Sequence, residues 1–370
     1  MRSNRSGVRR GNTERVETPA ALGFRLAAEW EPHEATWIAW PHNRTDWPGK
    51  FATIPWVYGE IVRRIAPGEI VRILVDSKDH QTRAERVLRR VGMDLARVEF
   101  FRIPTDRGWT RDFGPIFLKR DMRDAKPAIG RFRFNAWARY PDWQRDNRVA
   151  PLLARRLGLR VFRAIHRGRE IVLEGGAIDV NGKGTLLTTE ECLLDPQVQP
   201  RNPGLSKTDV ESVLRSYLGV TNILWLNRGI AGDDTHGHVD DLARFVNPRT
   251  IVLCREDNPN DENYIPLREN HERLQDLRLE DGSKPHVIPL PMPEPLYFDG
   301  RRLPASYANF YIANAAVLVP TFNDPKDRIA LGLLNELFPE RRVVGIHAVD
   351  LVWGFGTIHC MTQSQPAVAR

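Results

Sequence analysis

The sequence predicts an α/β fold made as one large unit, in which about five strand-rich modules surround a centre. Three observations lead there. Short apolar runs rich in β-branched and aromatic residues alternate with helical periodicity from end to end. No Ser-, Gly- or Pro-rich linker divides the 370 residues, a length that holds one large domain or two ordinary ones. Apolar segments also meet polar residues and glycines five times, near residues 112, 174, 238, 309 and 360.

In chain order, a strand over 35–40 is followed by a helix over 56–66 whose Val57, Ile61, Val62 and Ile65 share one face. A strand over 70–75 leads to a second helix over 78–92, with Ala84, Val87, Leu88 and Val91 as its stripe. Strands over 98–103 and 116–118 precede a third helix near 148–158, carrying Val149, Leu152, Leu153 and Leu157. Strands at 171–173 and 185–188 come next. A fourth helix spans 206–218: Ser206 and Asp209 read as a capping box, Val210, Val213, Leu214 and Tyr217 as the stripe, and Gly219 as the stop. Strands are expected at 222–226, 242–246, 251–254 and 310–320. In the fifth helix Asp324 can cap free amides, Pro325 suits the first turn, and Ile329, Ala330, Leu333, Leu334 and Leu337 face inward before Pro339. A last strand follows at 342–346.

Composition narrows the function class. Apolar residues are 41% and charged residues 27%, close to globular averages, and 27 Gly and 27 Pro give neither a collagen period nor a low-complexity excess. The net charge is 54 − 47 = +7, but Arg2, Arg5, Arg9, Arg10 and Arg15 against Glu14 place +4 of it in the first fifteen residues. The body carries only about +3 (7 − 4), a weak basis for a nucleic-acid surface. The opening arginines are not followed by an apolar segment, and no stretch approaches a membrane span. Residues 1–22 are expected to be a disordered basic leader and 23–370 a single catalytic domain, cytoplasmic, without nucleic-acid or membrane partners. The sequence is compatible with a homo-oligomer. Cys192, Cys254 and Cys360 are too few and scattered for a disulfide framework or a four-thiolate metal site.

Four positions carry the candidate chemistry: Asp112 in W-T-R-D-F-G-P, Glu174 in V-L-E-G-G, the stretch D-D-T-H-G-H-V-D-D over 233–241, and Cys360 in G-F-G-T-I-H-C. Each lies beside an apolar run and near glycine, where backbone can approach a ligand. Singly, a strand-end carboxylate is usually a solvated turn residue and a lone cysteine a small buried hydrophobe. That plain reading is kept for Cys192 and Cys254. Together, a thiol, an imidazole and three carboxylates suit attack on a cationic carbon. Carboxylates bind a guanidinium through bidentate hydrogen bonds, a thiolate is the nucleophile, and histidine moves protons. His359 neighbours Cys360, and adjacent side chains in extended chain point to opposite faces, so it is a poor proton partner. His238 is better placed, sharing a face with Asp240 while Asp241 points away. Trp109 is the aromatic expected over a flat cation. A zinc hydrolase using His236, His238 and Asp240 competes, because T-H-G-H-V-D-D is similar to the T-H-x-H-x-D-H stretch of metallo-β-lactamase-type hydrolases. Asp241 stands where the last histidine of that stretch would be, and His271, His286 and His347 form no comparable cluster.

Longer stretches agree in order with one family. A-E-W-E-P-H-E-A-T-W-I-A-W-P, W-T-R-D-F-G-P, E-G-G with G-T-L-L-T-T-E-E-C-L-L, D-D-T-H-G-H-V-D-D, P-A-S-Y-A-N-F-Y-I-A-N and G-T-I-H-C-M-T-Q are all present, and from Ala27 to Pro366 the chain resembles the agmatine deiminase and bacterial peptidylarginine deiminase family of guanidine-modifying enzymes. The resemblance implies a five-bladed, pseudo-symmetric α/β propeller of ββαβ units, the pentein fold. It implies hydrolytic deimination of a small guanidine, first of all agmatine to N-carbamoylputrescine and ammonia, with no cofactor and a place in putrescine synthesis. By the same resemblance Cys360 is the nucleophile and His238 the general acid and base. Asp112 and Asp240 grip the guanidinium nitrogens, Glu174 holds substrate and orients the histidine, and Trp109 lines the pocket. One position departs: where the family reads T-D-G-H this chain reads T-H-G-H, which puts His236 among the expected substrate-binding residues in place of an acid. Peptidyl or free arginine, or another alkylguanidine, is the same-chemistry alternative. A binding protein whose basic leader meets acidic partners is the non-enzymatic one.

Overall fold

The computed structural model describes residues 17–368. Its five larger sheets repeat one local topology: an antiparallel strand pair, then a helix, then a third strand parallel to the second. Parallel pairing needs a crossover, and the helix supplies it. Ile116–Arg120 and Ala128–Arg131 lead through the helix Val149–Leu157 to Arg160–Arg163. Asp179–Val180 and Thr185–Thr189 lead through Lys207–Leu218 to Asn222–Leu226. Ala243–Asn247 and Thr250–Arg255 lead through Tyr264–Asp276 to His286–Pro291. Tyr311–Ile312 and Ala316–Thr321 lead through Lys326–Leu337 to Arg342–His347. The fifth sheet joins the two ends of the described chain. Gln363–Pro366 runs antiparallel to His33–Ala39, and the helices Ile54–Ile65 and Lys78–Arg90 carry the chain to the parallel strands Ile70–Val75 and Val98–Arg102.

The repeat matters because of what precedes each first strand. Asp112 lies before Ile116–Arg120, Glu174 before Asp179–Val180, and His238 and Asp240 before Ala243–Asn247. Asn309 comes before Tyr311–Ile312, and His359 with Cys360 before Gln363–Pro366. Five segments far apart in sequence thus stand at one topological position.

Most sequence expectations match within a few residues, and the differences have physical causes. The helix Tyr264–Asp276 was not expected. Its buried stripe is Pro266, Leu267, Asn270 and Leu274, so the helical spacing is interrupted by a proline tolerated only in the first turn and by a buried amide. Asn270 belongs inside because it donates to Arg228 O at 2.7 Å and accepts from Asn227 N at 2.6 Å. The expected strand at 171–173 is a single bridge between Arg133 and Val172. The run at 310–320 is two strands around a turn. In the fifth helix Ile329 is exposed, while Asp324 caps as expected, accepting from Lys326 N at 2.7 Å. Residues 1–16 of the expected leader lie outside the described residues. The leader's boundary at 22 falls inside the fold, since Ala20–Leu22 form a 3-10 turn and Leu22 packs on the core around Tyr217 and Leu218.

At the fourth helix both halves of the capping box are present: Ser206 Oγ accepts from Asp209 N, and Asp209 accepts from Ser206 N. Ser206→Ala should lower stability by about 1 kcal/mol, measured by urea unfolding, with the slope of the transition unchanged.

Candidate active site

A cavity of about 510 Å³ is lined by Trp109, Asp112, Trp137 and Cys360, with Asp46, Arg107, Asp142, Asp234 and Arg301 among its other walls. Asp112 sits in the short helix Thr110–Phe113 and is fixed on both oxygens, Oδ1 accepting from Gly176 N at 3.0 Å and Oδ2 from Trp137 Nε1 at 2.9 Å. Trp137 is delivered by a left-handed turn in which Ala136, Trp137 and Ala138 have φ of 50°, 58° and 53°. L-residues there cost about 1–2 kcal/mol each, and backbone strain of this kind persists where surrounding structure holds it. Here Asn135 Oδ1 accepts from Ala138 N at 3.0 Å and Gln199 Nε2 donates to Trp137 O at 3.0 Å.

Glu174 is fully buried and bound on one oxygen by Arg201, Nε to Oε1 3.0 Å, with both side chains at 0% exposure. Its other oxygen has no partner within the described residues and lies 3.9 Å from His238 Nε2. His238, fully buried, has Asp112 Oδ1 at 3.8 Å and Asp240 Oδ1 at 4.0 Å from Nδ1, so three carboxylates surround one ring. Gly176 permits that approach: a Cβ at this position would stand 2.5 Å from His238 Nδ1 and 2.9 Å from Asp112 Oδ1. The second glycine of E-G-G is therefore a steric requirement of the cluster.

Cys360 Sγ receives a hydrogen bond from Asn309 Nδ2 at 3.1 Å and lies 3.7 Å from Asp240 Oδ2. Asn309 is the clasp of this region. Its Oδ1 accepts from Thr357 Oγ1 at 2.7 Å and His359 N at 3.0 Å, while Nδ2 also donates to Asp241 Oδ1 at 2.9 Å.

The charges respond to this packing. Burial opposes a charge on His238, but Asp112 first, then Cys192 and Glu174, hold its ring well above the usual histidine range, which favours the protonated ring. Against burial, Arg201 and then His238 hold Glu174 down at about 2. Asp112 has no arginine, and burial, reinforced by Asp240 and Glu174, pushes it up to about 6. Burial, then Asp240, Asp241 and Asp112, push the Cys360 thiol well above its ordinary value, with the Asn309 amide opposing. The arrangement can hold a small flat cation between carboxylates, beside a thiol and a proton donor.

The structure brings Cys360, His238, Asp112, Glu174, Asp240 and Trp109 together. It does not bring His236. That residue has φ 64°, and its ring is held away from the cluster by Asp195 Oδ2 at 2.9 Å and Glu191 Oε1 at 3.8 Å. The expectation of His236 as a substrate-binding residue is corrected, and with it the shared zinc set of His236, His238 and Asp240. The close groups of ligand atoms among the described residues are Glu174, Cys192 and His238, and Asp240, Asp241 and Cys360. Cys192 is accordingly more than core filling, since it stands against His238 and Glu174. Arg201, Asn309 and Trp137 were missed. Arg201 lies in R-N-P, where neither charge nor spacing marks it, Asn309 stands at one of the five recurrent positions but as a neutral amide was given no role, and Trp137 is one tryptophan of ten.

The family model described as Porphyromonas-type peptidyl-arginine deiminase matches residues 25–366. The agmatine deiminase of Pseudomonas aeruginosa (strain LESB58) is 37% identical over 95% of this chain and 98% of its own. The structure of the agmatine deiminase of Enterococcus faecalis catalysing its reaction superposes with a TM-score of 0.86 at 30% identity, covering 95% and 98% of the two chains. A cysteine-to-serine variant of the C. jejuni agmatine deiminase with substrate bound gives 0.81 at 31%, covering 94% and 97%.

The Glu174–Arg201 pair yields a stability prediction. Because the folded carboxylate sits at about 2, below its ordinary 4.5, its contribution is present above that value and lost as pH falls toward 2. Arg201→Met should destabilise the protein by about 3–5 kcal/mol at neutral pH, leaving Glu174 buried without its cation. Chemical denaturation at pH 7 and pH 4 should show the loss shrinking at the lower pH.

Proposed function

The chain belongs to the Porphyromonas-type peptidyl-arginine deiminase family, and we propose that it hydrolyses the guanidinium group of agmatine to ammonia and N-carbamoylputrescine. The observation that carries this reading is a buried cluster of one thiol, one imidazole and three carboxylates, of which Cys360 and Asp112 open onto the cavity. The named activity of its relatives supports the same substrate. The five sheets are read as blades of a closed five-bladed propeller of ββαβ units, one catalytic domain, because the segments leading into their first strands meet at that cluster.

In this mechanism Asp112 and Asp240 hold the planar cation and Trp109 covers it. The guanidinium charge lowers the Cys360 thiol pKa, and the thiol proton leaves to water, since His238 already carries one. The thiolate attacks the guanidinium carbon. His238 gives its proton to the departing nitrogen, ammonia leaves, and a thiouronium remains on sulfur. Glu174, anchored by Arg201, keeps the ring in place. Water then attacks as His238, now neutral, takes its proton. Collapse breaks the carbon–sulfur bond and releases the ureido product, with one proton lost to solvent. Two displacements at one held carbon replace a single difficult hydrolysis.

A second reading, free or peptidyl arginine, is favoured by Arg301. It lines the cavity over Phe355, 4.3 Å from the ring centroid, without an ion pair among the described residues, and could meet a carboxylate. The walls as a whole favour a cationic tail, with Asp46, Asp112, Asp142 and Asp234 against Arg107 and Arg301.

Cys360→Ser should lower kcat by at least about a thousandfold with the fold retained, scored by ammonia release. A panel of agmatine, arginine, arginine-terminated peptides and alkylguanidines should show highest kcat/KM for agmatine. A preference for arginine would move the assignment to the second reading. The pH profile follows from the shifts. Activity needs the thiolate, lost toward acid, and the imidazolium, lost toward alkali, both with raised pKa, so kcat/KM should peak on the alkaline side of neutrality. Because bound guanidinium stabilises the thiolate, the acid limb of kcat should lie at lower pH than that of kcat/KM. Coincident limbs would refute substrate-assisted ionisation.

A further inference from the structure

The proposed chemistry leaves Glu29, from the motif A-E-W-E-P-H, and His359 without a task, yet both are buried and joined to the site. His359 Nδ1 lies 2.6 Å from Asp240 Oδ2, and its Nε2 lies 2.8 Å from Glu29 Oε2. Glu29 in turn accepts from Arg111 Nη2 at 2.6 Å, Arg244 Nη2 at 2.8 Å and Ile312 N at 2.9 Å. Both carboxylates are held below their ordinary range despite burial, Glu29 by Arg244, His359 and Arg111, and Asp240 by His359 first. One ring nitrogen of His359 thus faces each acid at hydrogen-bond distance, and the ring bridges the two carboxylates.

This link decides what Asp240 offers. With Oδ2 bound to His359, Oδ1 has no partner among the described residues and lies on the His238 side. Without it, Oδ2 would keep only the longer contact to Cys360 Sγ at 3.7 Å among the described residues, and the carboxylate would be free to rotate. Arg111 ties the link to the nucleophile as well, donating from N to Cys360 O at 3.0 Å and from Nε to His359 O at 3.3 Å.

We propose that Glu29 and His359 are positioning residues: His359, bridging Glu29 to Asp240, fixes the Asp240 oxygen that receives the substrate's guanidinium. This rests on the guanidine-deiminase reading above. Two amides separate orientation from mere filling of space. In His359→Asn the side-chain nitrogen can occupy the Nδ1 position and still donate to Asp240. In His359→Gln it reaches the Nε2 position and keeps Glu29 instead.

The test uses the whole chain and two small alkylators of Cys360, chloroacetamidine, which is a cation, and chloroacetamide, which is neutral and nearly the same shape. Their rate ratio reports the carboxylate grip, and general loosening changes both rates alike. His359→Gln should lower the ratio by about tenfold to a hundredfold and raise the KM for agmatine similarly, as expected for loss of a hydrogen bond between charged groups. His359→Asn should stay within about threefold of the native ratio, well inside that loss. Glu29→Gln, which removes the remote charge without touching the cavity, should lower the ratio in the same direction. It also serves as the readout if His359→Gln does not fold. Equal losses in the Asn and Gln variants, or a native ratio in Glu29→Gln, would overturn the proposal. A native enzyme that prefers the amidine but turns over no guanidine would instead refute the functional reading and leave the positioning intact.

Discussion

Burying several carboxylates beside one another is the constraint around which this molecule is organised. Asp112, Glu174 and Asp240 all lie within 4.0 Å of one imidazole and are at most 5% exposed. Each needs a cation behind it or must take up a proton. Glu174 has Arg201, and Asp240 has His359, itself backed by Glu29, Arg111 and Arg244. Asp112 has only neutral donors, Trp137 and a backbone amide, besides the shared His238. Its rise to about 6 records that difference. The three acids look alike in sequence and are made unlike by what stands on their far sides.

The repeated strand–strand–helix–strand topology is how such a set can be assembled. Asp112, Glu174, His238, Asp240 and Cys360 must meet, and each arrives on the segment entering the first strand of a unit, where the following sheet fixes its direction. Close approach then depends on details the topology does not supply: Gly176 without a side chain under His238, and a left-handed turn at 136–138 to aim one indole at Asp112. Local strain and a forbidden Cβ at a functional cluster are costs offset by the surrounding packing.

How much of this was legible follows from the kind of signal each residue carries. Cys360, His238, Asp112, Glu174 and Asp240 could be read because their residue types combine into one chemistry and their flanking motifs agree with a family. Helices with uninterrupted apolar stripes could be read too, whereas Tyr264–Asp276 was hidden by Pro266 and a buried Asn270 whose partners lie at residues 227 and 228. His236 was misplaced because type and proximity in sequence were taken for proximity in space, and a positive φ sends it to Asp195 instead. Arg201, Asn309 and Glu29 were given no role for a related reason. Their value lies in long-range partners, 27, 51 and 330 residues away for Glu174, Cys360 and His359.

The same electrostatics account for how a buried cysteine can be kept quiet and then used. Three aspartates and burial disfavour the Cys360 thiolate, so neutral electrophiles and oxidants meet a thiol, the less reactive form. In the proposed mechanism, a guanidinium entering between Asp112 and Asp240 opposes the field of the aspartates at the sulfur and so favours loss of the proton. The ligand that best satisfies the carboxylates is thus the one that arms the nucleophile aimed at its own central carbon. Selectivity and activation come from one interaction, and weakening the carboxylate grip would damage both together.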